Sequence, residues 1–469
     1  MTGIVSYGAY IPPTRLSLAA IAGRPDKQGG GPEKAVAWND EDSVTMAVAA
    51  GINCLRGLDR DGVDAVLFAS TTYAFEEKQA AALIAKALDL PRGVRTADYG
   101  GSLRAGTSAL LGAFDAVAAG SARSVLVIAS DCRLAAPRSE LEASFGDGAV
   151  AFLVVKSDAL ATLQACHAHA DEIVDVWRNK GERFVRTWEQ RFVVQEGYLP
   201  NTIEAVKGLL GKTGKTLADF DRVMLYAPDQ RTHAEAVRAL KLQPAQVQDP
   251  LFGRLGNAGA AFALIQLAHA LESAKAGERL LVLNYGDGAE ALSLSVTERV
   301  RPIEPRRGVG WHLERKRAVA SYERYLKARG LGPGQEEPAK SQGLSATIHL
   351  RERDDEISFR GQQCKKCRAI QFPAQRVCET CFAKDAFDPV RLSDRTGHVL
   401  TYTFDSFFPT PEPPTIVTVT DIDGARVHIQ LVNIEAKDVK IDMPVEFAFR
   451  RIHEVGGRPN YYWKGTPVP

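Results

Sequence analysis

The sequence predicts an α/β body built from two copies of one layered unit, followed by a small cysteine-rich ribbon and a β-barrel. Three observations predict it. Over the first 300 residues, apolar strand-like runs alternate with Ala-rich helical runs, as they do where helices cover the faces of a sheet. Those runs recur in the same order at long period. Past residue 345 the pattern changes to short alternating strands, entered through two CxxC pairs.

A chain of 469 residues is too long for one ordinary core. Its 58 Lys+Arg against 57 Asp+Glu leave a net charge of +1, which gives no overall field to attract nucleic acid or an anionic membrane. The N-terminus MTGIVSYGAYIPPTR lacks a basic segment followed by an apolar run, and no apolar stretch reaches the ~18 residues of a membrane span. Four of the seven cysteines sit in the CxxC pairs, while Cys54, Cys132 and Cys166 are scattered, an odd set suited to a reducing compartment. A cytoplasmic protein is expected.

The duplication carries the body. VDAVLFAST at 63–71 is echoed by FDRVMLYAP at 220–228, an Asp followed by a buried strand that opens into polar residues. AGTSALLGAFDAVAAGSARSVLVIAS at 105–130 is echoed by AGAAFALIQLAHALESAKAGERLLVLNY at 258–285, a small-residue helix, a turn, and a continuous apolar strand suited to burial on both faces. SFGDGAVAFLVV at 144–155 matches NYGDGAEALSLSV at 284–296. The halves fall at about 1–170 and 171–300, and a helix in 314–330 closes a first domain of residues 1–330. LGPGQEEPAKSQG then reads as a linker over 331–345.

CKKC and CETC place Cys364, Cys367, Cys378 and Cys381 in a CxxC–x10–CxxC array, two knuckles that bring four thiolates around one metal, zinc before iron. Four thiolates close the coordination sphere, so this ribbon (346–390) is read as a structural staple. Residues 391–469 carry five or so short strands, the pattern of an OB-like barrel. Tyr402, Phe404, Phe407, Phe408, Tyr461, Tyr462 and Trp463 are either core aromatics or a stacking platform for bases; no basic stripe accompanies them, which favours the core.

GIVSYGAYIPPTRL, the AGT helix, RLGNAGAAFALIQL and NYGDGAE together resemble the thiolase superfamily, nearest its 3-hydroxy-3-methylglutaryl-CoA synthase branch, over roughly residues 1–330. The C-terminal part resembles the rubredoxin-like zinc ribbons joined to OB folds that act beside thiolase-like partners and help accommodate acyl-CoA. The resemblance implies two thiolase-like halves in five layers, coenzyme A thioester substrates, a homodimer through the body, and a catalytic Cys, Glu and His. The position of the Cys, four residues before Thr107, holds Leu103; that of the Glu holds Thr71; that of the His holds Tyr226; the asparagine of the GN turn is kept as Asn257. An acyl-enzyme needs a nucleophile that leucine does not supply. Ser102 has no evident base, and Cys132 after a strand reads as a small buried residue.

The chemistry expected is therefore aldol or retro-aldol cleavage of a β-hydroxyacyl-CoA, with Tyr226 as acid or base, Asn257 as a donor to the thioester oxygen and Thr71 as a further catalytic candidate. A Claisen-type synthase and a non-catalytic acyl-CoA-binding scaffold are the alternatives. His233 reads as a surface histidine, His167 and His169 lack a third ligand, and DVWRNKGERFVRTWEQRF at 175–192 reads as a cover for a substrate entrance or as an amphipathic connection.

Overall fold

The computed structural model describes all residues except 26–29, 304–305, 333–345, 409, 456–457 and 469, so most of the expected linker lies outside the described residues. The chain divides into two units, Met1–Trp38 with Asp42–Ala85 and Leu90–Tyr325, and Asn39–Glu41 with Lys86–Asp89 and Leu326–Pro469.

The first unit is built on nine strands: β1 (Gly3–Tyr10), β2 (Ala65–Ala69), β3 (Arg95–Tyr99), β4 (Ser124–Asp131), β5 (Gly148–Val155), β6 (Ala161–Ala170), β7 (Arg222–Leu225), β8 (Arg279–Tyr285) and β9 (Gly288–Val296). Their order is β7-β8-β9-β6-β1-β5-β4-β2-β3. Each half runs the same way outward from the seam, β1-β5-β4-β2-β3 and β6-β9-β8-β7, and a single bridge from Val223 to Val247 stands where the second half's outermost strand would lie. By this order the second half begins at β6, before residue 170. The seam is short, Gly3 opposite Thr162 and Ile4 opposite Ala161.

Helices complete the layers. α1 (Ser43–Leu55) lies on β1, β5 and β4, and α3 (Leu199–Thr213) on β6, β8 and β9. Between the half-sheets sit α2 (Ala105–Ala118) and α4 (Phe262–Glu272), whose Ala, Gly and Leu side chains are buried on almost every side. Small residues let these helices approach both layers; a Cβ on Gly106 would lie 2.2 Å from the Ala260 carbonyl oxygen. The five-layer duplicated fold is the expected one.

In the second unit a helix (Ala346–Glu356) precedes a three-stranded ribbon of β10 (Arg360–Cys364), β11 (Ile370–Gln371) and β12 (Phe387–Arg391). Five further strands, β13 (Gly397–Asp405), β14 (Thr415–Ile422), β15 (Ala425–Leu431), β16 (Pro444–Val455) and β17 (Arg458–Pro467), close a barrel in the order β13-β14-β15-β17-β16. The aromatics divide. Tyr461 and Trp463 are core, with Trp463 packed against Phe359 and Phe449, whereas Phe404 and Phe407 are exposed, Phe407 almost completely. The core reading therefore fails for those two, which fall at or beyond the exposed end of β13, Phe404 meeting the Tyr402 ring at 5.5 Å. No helix among the described residues is long and apolar enough to cross a membrane.

Candidate functional site

The parallel strands β2 and β4 lead to Ser70–Thr72 and Asp131, beside the Ala260 amide ahead of α4, while in the second half β8 ends with Asn284 bonded to Thr107 of α2 and β7 leads to Ala227 beside the turn that carries Asn257. Asp131, at the end of β4, is the hub of the first half. Its Oδ1 accepts from Ser70 Oγ (2.9 Å), the Thr71 amide (2.7 Å) and Thr72 Oγ1 (2.9 Å). Its Oδ2 accepts from Thr71 Oγ1 (2.9 Å) and the Ala260 amide (2.8 Å), which ties the halves together. A fully buried carboxylate with five donors is satisfied and structural. Thr71 thus stands at the site, but its hydroxyl proton is committed to Asp131.

Leu103 occupies the last turn before α2, half-buried against the core. It faces the NYGDG loop of the second half. Gly286 (φ +155°) passes so close that a Cβ there would lie 3.0 Å from both Leu103 Cβ and Ser102 Oγ. No thiol stands at this position. Ser102 Oγ accepts from the Arg104 amide at 3.2 Å. Cys132 is half-buried, its Sγ 3.8 Å from Thr72 Oγ1, so it is less enclosed than expected.

Tyr226 follows β7 and is buried. Burial raises its pKa, while the Arg133 guanidinium and the Asn257 amide beside its hydroxyl pull the other way. Asn257 is fully buried: Oδ1 accepts from Arg133 Nη2 (2.8 Å) and the Gly259 amide (2.9 Å), and Nδ2 donates to the Ala227 carbonyl (2.9 Å). Its Nδ2 group donates to the Ala227 carbonyl and, more weakly at 3.4 Å, to the Pro228 carbonyl, so the expectation of an N–H aimed at a thioester oxygen is not met in this arrangement. Asn257 is an organiser of the loop and of Arg133. That arginine, buried with its guanidinium 4.1 Å from the centre of the Phe145 ring, is a cation at the site that the sequence reading missed. Nothing in RLAAP marked it, because its partner Asn257 lies 124 residues away.

The segment after β6 crosses from one half to the other. Asp175 accepts a 2.6 Å hydrogen bond from the Tyr285 hydroxyl, Arg178 donates to the Thr71 carbonyl (2.8 Å), and the Val185 amide donates to the Leu134 carbonyl (2.9 Å). These contacts tie the segment to both halves, beside Thr71 and Tyr285. His233 is a correction. It is buried on the inner face of its helix with Thr232 and Ala236, and burial lowers its pKa to about 4. His169 hydrogen-bonds Asn201 Oδ1 at 2.7 Å, and His167 packs against Gly208.

In the ribbon, the sulfurs of Cys364, Cys367, Cys378 and Cys381 lie within 4.8 Å of one another, with the Cys364–Cys381 and Cys367–Cys378 pairs at 3.6 Å. Tetrahedral zinc with Zn–S bonds of about 2.3 Å sets sulfurs roughly 3.8 Å apart, so the residues fit zinc. Among the described residues this is the one such ligand cluster.

The family model described as "ChsH2, rubredoxin-like zinc ribbon domain" matches residues 351–387. The hydroxymethylglutaryl-CoA synthase of Methanocaldococcus jannaschii is 30% identical over 342 residues, covering 70% of this chain and 99% of the relative. That of Aeropyrum pernix is 32% identical over 341 residues, covering 70% and 94%. Among solved structures, MvaS in complex with 3-hydroxy-3-methylglutaryl coenzyme A aligns at TM-score 0.63 and 22% identity, over 73% of this chain and 95% of that one. The 3-oxoacyl-(acyl carrier protein) synthase III of Pseudomonas aeruginosa aligns at 0.58 and 22%, over 64% and 99%. With its duplicated fold, its GN turn and relatives matched over nearly their whole length, the chain belongs to the hydroxymethylglutaryl-CoA synthase family, and it carries a C-terminal zinc ribbon besides.

Proposed function

We propose that the protein makes or breaks a carbon–carbon bond next to a coenzyme A thioester by aldol chemistry on a β-hydroxyacyl-CoA, without an acyl-enzyme. The observation that carries this reading is Leu103 at the mouth of α2, where a covalent mechanism needs a nucleophile. The persistence of a polar, organised site around it argues against mere loss of activity. Solved relatives carrying 3-hydroxy-3-methylglutaryl coenzyme A and CoA support the thioester class.

In retro-aldol cleavage the β-hydroxyl loses its proton, the electrons of the breaking C–C bond pass to the thioester enolate, and the α-carbon is then protonated. In this reading Tyr226 donates to the thioester oxygen, Arg133 stabilises the charge that develops there, and Asn257 holds Arg133. Thr71 and Asp131 hold the neighbouring backbone, Asp131 accepting from the Thr71 hydroxyl and the Ala260 amide. Cys364, Cys367, Cys378 and Cys381 would hold zinc as a closed four-thiolate staple for the ribbon.

A second reading, a Claisen-type synthase, is favoured by the names of the relatives. We further infer a cytoplasmic homodimer through the body, since β3 pairs only with β2 among the described residues and leaves one edge of the sheet open. The test is product analysis with a panel of β-hydroxyacyl-CoA thioesters. An aldehyde or ketone released together with a shortened acyl-CoA is expected, and Tyr226→Phe should lower kcat about 10²–10³-fold. Release of free CoA, or condensation of acetyl-CoA with a 3-oxoacyl-CoA, would favour the synthase.

A further inference from the structure

The aldol reading lacks a group to take the β-hydroxyl proton, and the site contains a carboxylate that the reading leaves unused. Asp131 and Asp175 are both buried, yet their surroundings differ sharply. Asp131 has five hydrogen-bond donors. The hydrogen bonds that hold the Asp175 carboxylate come from the Tyr285 hydroxyl at 2.6 Å and the adjacent Val176 amide at 2.6 Å, and no cation is bonded to it among the described residues. A structural carboxylate is normally saturated or ion-paired; one left with a phenol as its main partner is held ready to accept a proton.

The position is equally specific. Tyr285 ends β8 immediately before Gly286, the residue packed on Leu103 and Ser102. Its ring lies 6.4 Å from that of Tyr226 and 5.4 Å, edge-on, from that of Tyr198. Asp175 comes from the segment that crosses the site, so the pair forms only when that segment is in place.

Resting on the aldol reading, we propose that Tyr285 and Asp175 are the proton-accepting pair of the reaction. The Tyr285 oxygen takes the proton of the substrate β-hydroxyl as its own phenolic proton passes to Asp175 Oδ2. The hydroxyl carbon becomes a carbonyl, the C–C bond breaks, and its electrons form the thioester enolate. The proton then held by Asp175 returns through Tyr285 to the α-carbon, which yields the shortened acyl-CoA and restores the pair. No net charge, electron or co-reactant is consumed. Tyr285 is the catalytic residue and Asp175, acting through it, the positioning and accepting one.

The surrounding charges suit the task. Burial raises the Asp175 pKa, and Asp287 adds to it, so the carboxylate is a better base than an exposed one. Burial and the neighbouring Asp175 raise that of Tyr285, which keeps the phenol protonated at rest.

The test uses the full-length protein with the β-hydroxyacyl-CoA that the wild type cleaves. Tyr285→Phe and Asp175→Asn should each lower kcat about 10²–10⁴-fold with KM changed only a few-fold. The wild-type rate should fall on the acid side as Asp175 protonates, and that limb should be absent from the residual activity of Asp175→Asn. Asp175→Glu, which keeps the base, should recover part of the rate. Thermal melts and acyl-CoA affinity matching wild type confirm that the variants fold; loss of rate through loss of fold would appear instead as lost binding and no rescue by Asp175→Glu, and would overturn the pair's role. Wild-type cleavage that survives both substitutions with an unchanged pH profile also overturns it, leaving the aldol reading intact. A wild type that cleaves no β-hydroxyacyl-CoA refutes that reading, and the relay with it.

Discussion

Single side chains decide the chemistry here. In the proposed mechanism leucine at position 103 leaves no nucleophile for an acyl-enzyme, and Tyr226, Arg133 and Asn257 supply a polar wall. Asn257 serves that wall by filling its own hydrogen-bond capacity: it links Arg133, the Gly259 amide and the Ala227 carbonyl in a fully buried place. Asn257→Ala leaves a buried guanidinium without that partner, so a loss of about 2–4 kcal/mol is expected, read as a lower thermal midpoint, together with lost activity. A variant as stable as wild type would show that Arg133 is held by other means. Tyr226 and Asn257 were singled out in the sequence through the family resemblance, which marks the end of LYAP and the GN turn. Arg133 and the Asp175–Tyr285 pair were not, since pairing over 110 or more residues leaves no local pattern.

Between elements, the packing of α2 on α4 brings the halves together, and glycine is what permits it. Gly106 and Gly211 are both inside helices, so alanine at either gains about 0.5–1 kcal/mol of helical propensity. Their surroundings reverse the outcome at one of them. A Cβ on Gly211 meets nothing within 4 Å, whereas one on Gly106 meets the Ala260 oxygen at 2.2 Å. Gly211→Ala is therefore expected to raise the thermal midpoint slightly and Gly106→Ala to lower it, by about 1–3 kcal/mol of stability. Equal shifts would contradict the packing. The repeat of AGT and AGA helices announced this contact in the sequence, because small residues at matching places are what a helix between two sheets needs. The burial of His233 was hidden, since THAEAVRALKL is polar enough to suggest a solvent-facing helix and its inner face is set by tertiary packing.

At the scale of the molecule, proton uptake reports how the body is buried. Burial lowers the pKa of His312 to about 3 and of His233 to about 4. Unfolding frees both to protonate at the ordinary 6.5, so the unfolded state binds more protons as pH falls and stability declines, by up to about 1.4 kcal/mol per pH unit for each histidine. Glu272, raised by burial to about 7, has the opposite sign between pH 7 and its ordinary 4.5, where the folded state alone holds its proton. Asp175 is raised by burial like Glu272, and His269 is lowered by burial like the other two histidines, so three histidines stand against two carboxyls and the thermal midpoint should fall from pH 6.5 to 4.5; a flat or rising curve would contradict the burial described. The proposed mechanism forms no acyl-enzyme. Intact-mass spectrometry after incubation with acetyl-CoA tests it directly, with Leu103→Cys alongside as a thiol placed at the mouth of α2. No mass gain in the wild type, together with an acetyl adduct on Leu103→Cys, is the predicted result. An acetyl adduct on the wild type would contradict it and return the protein to the condensing mechanism of its relatives.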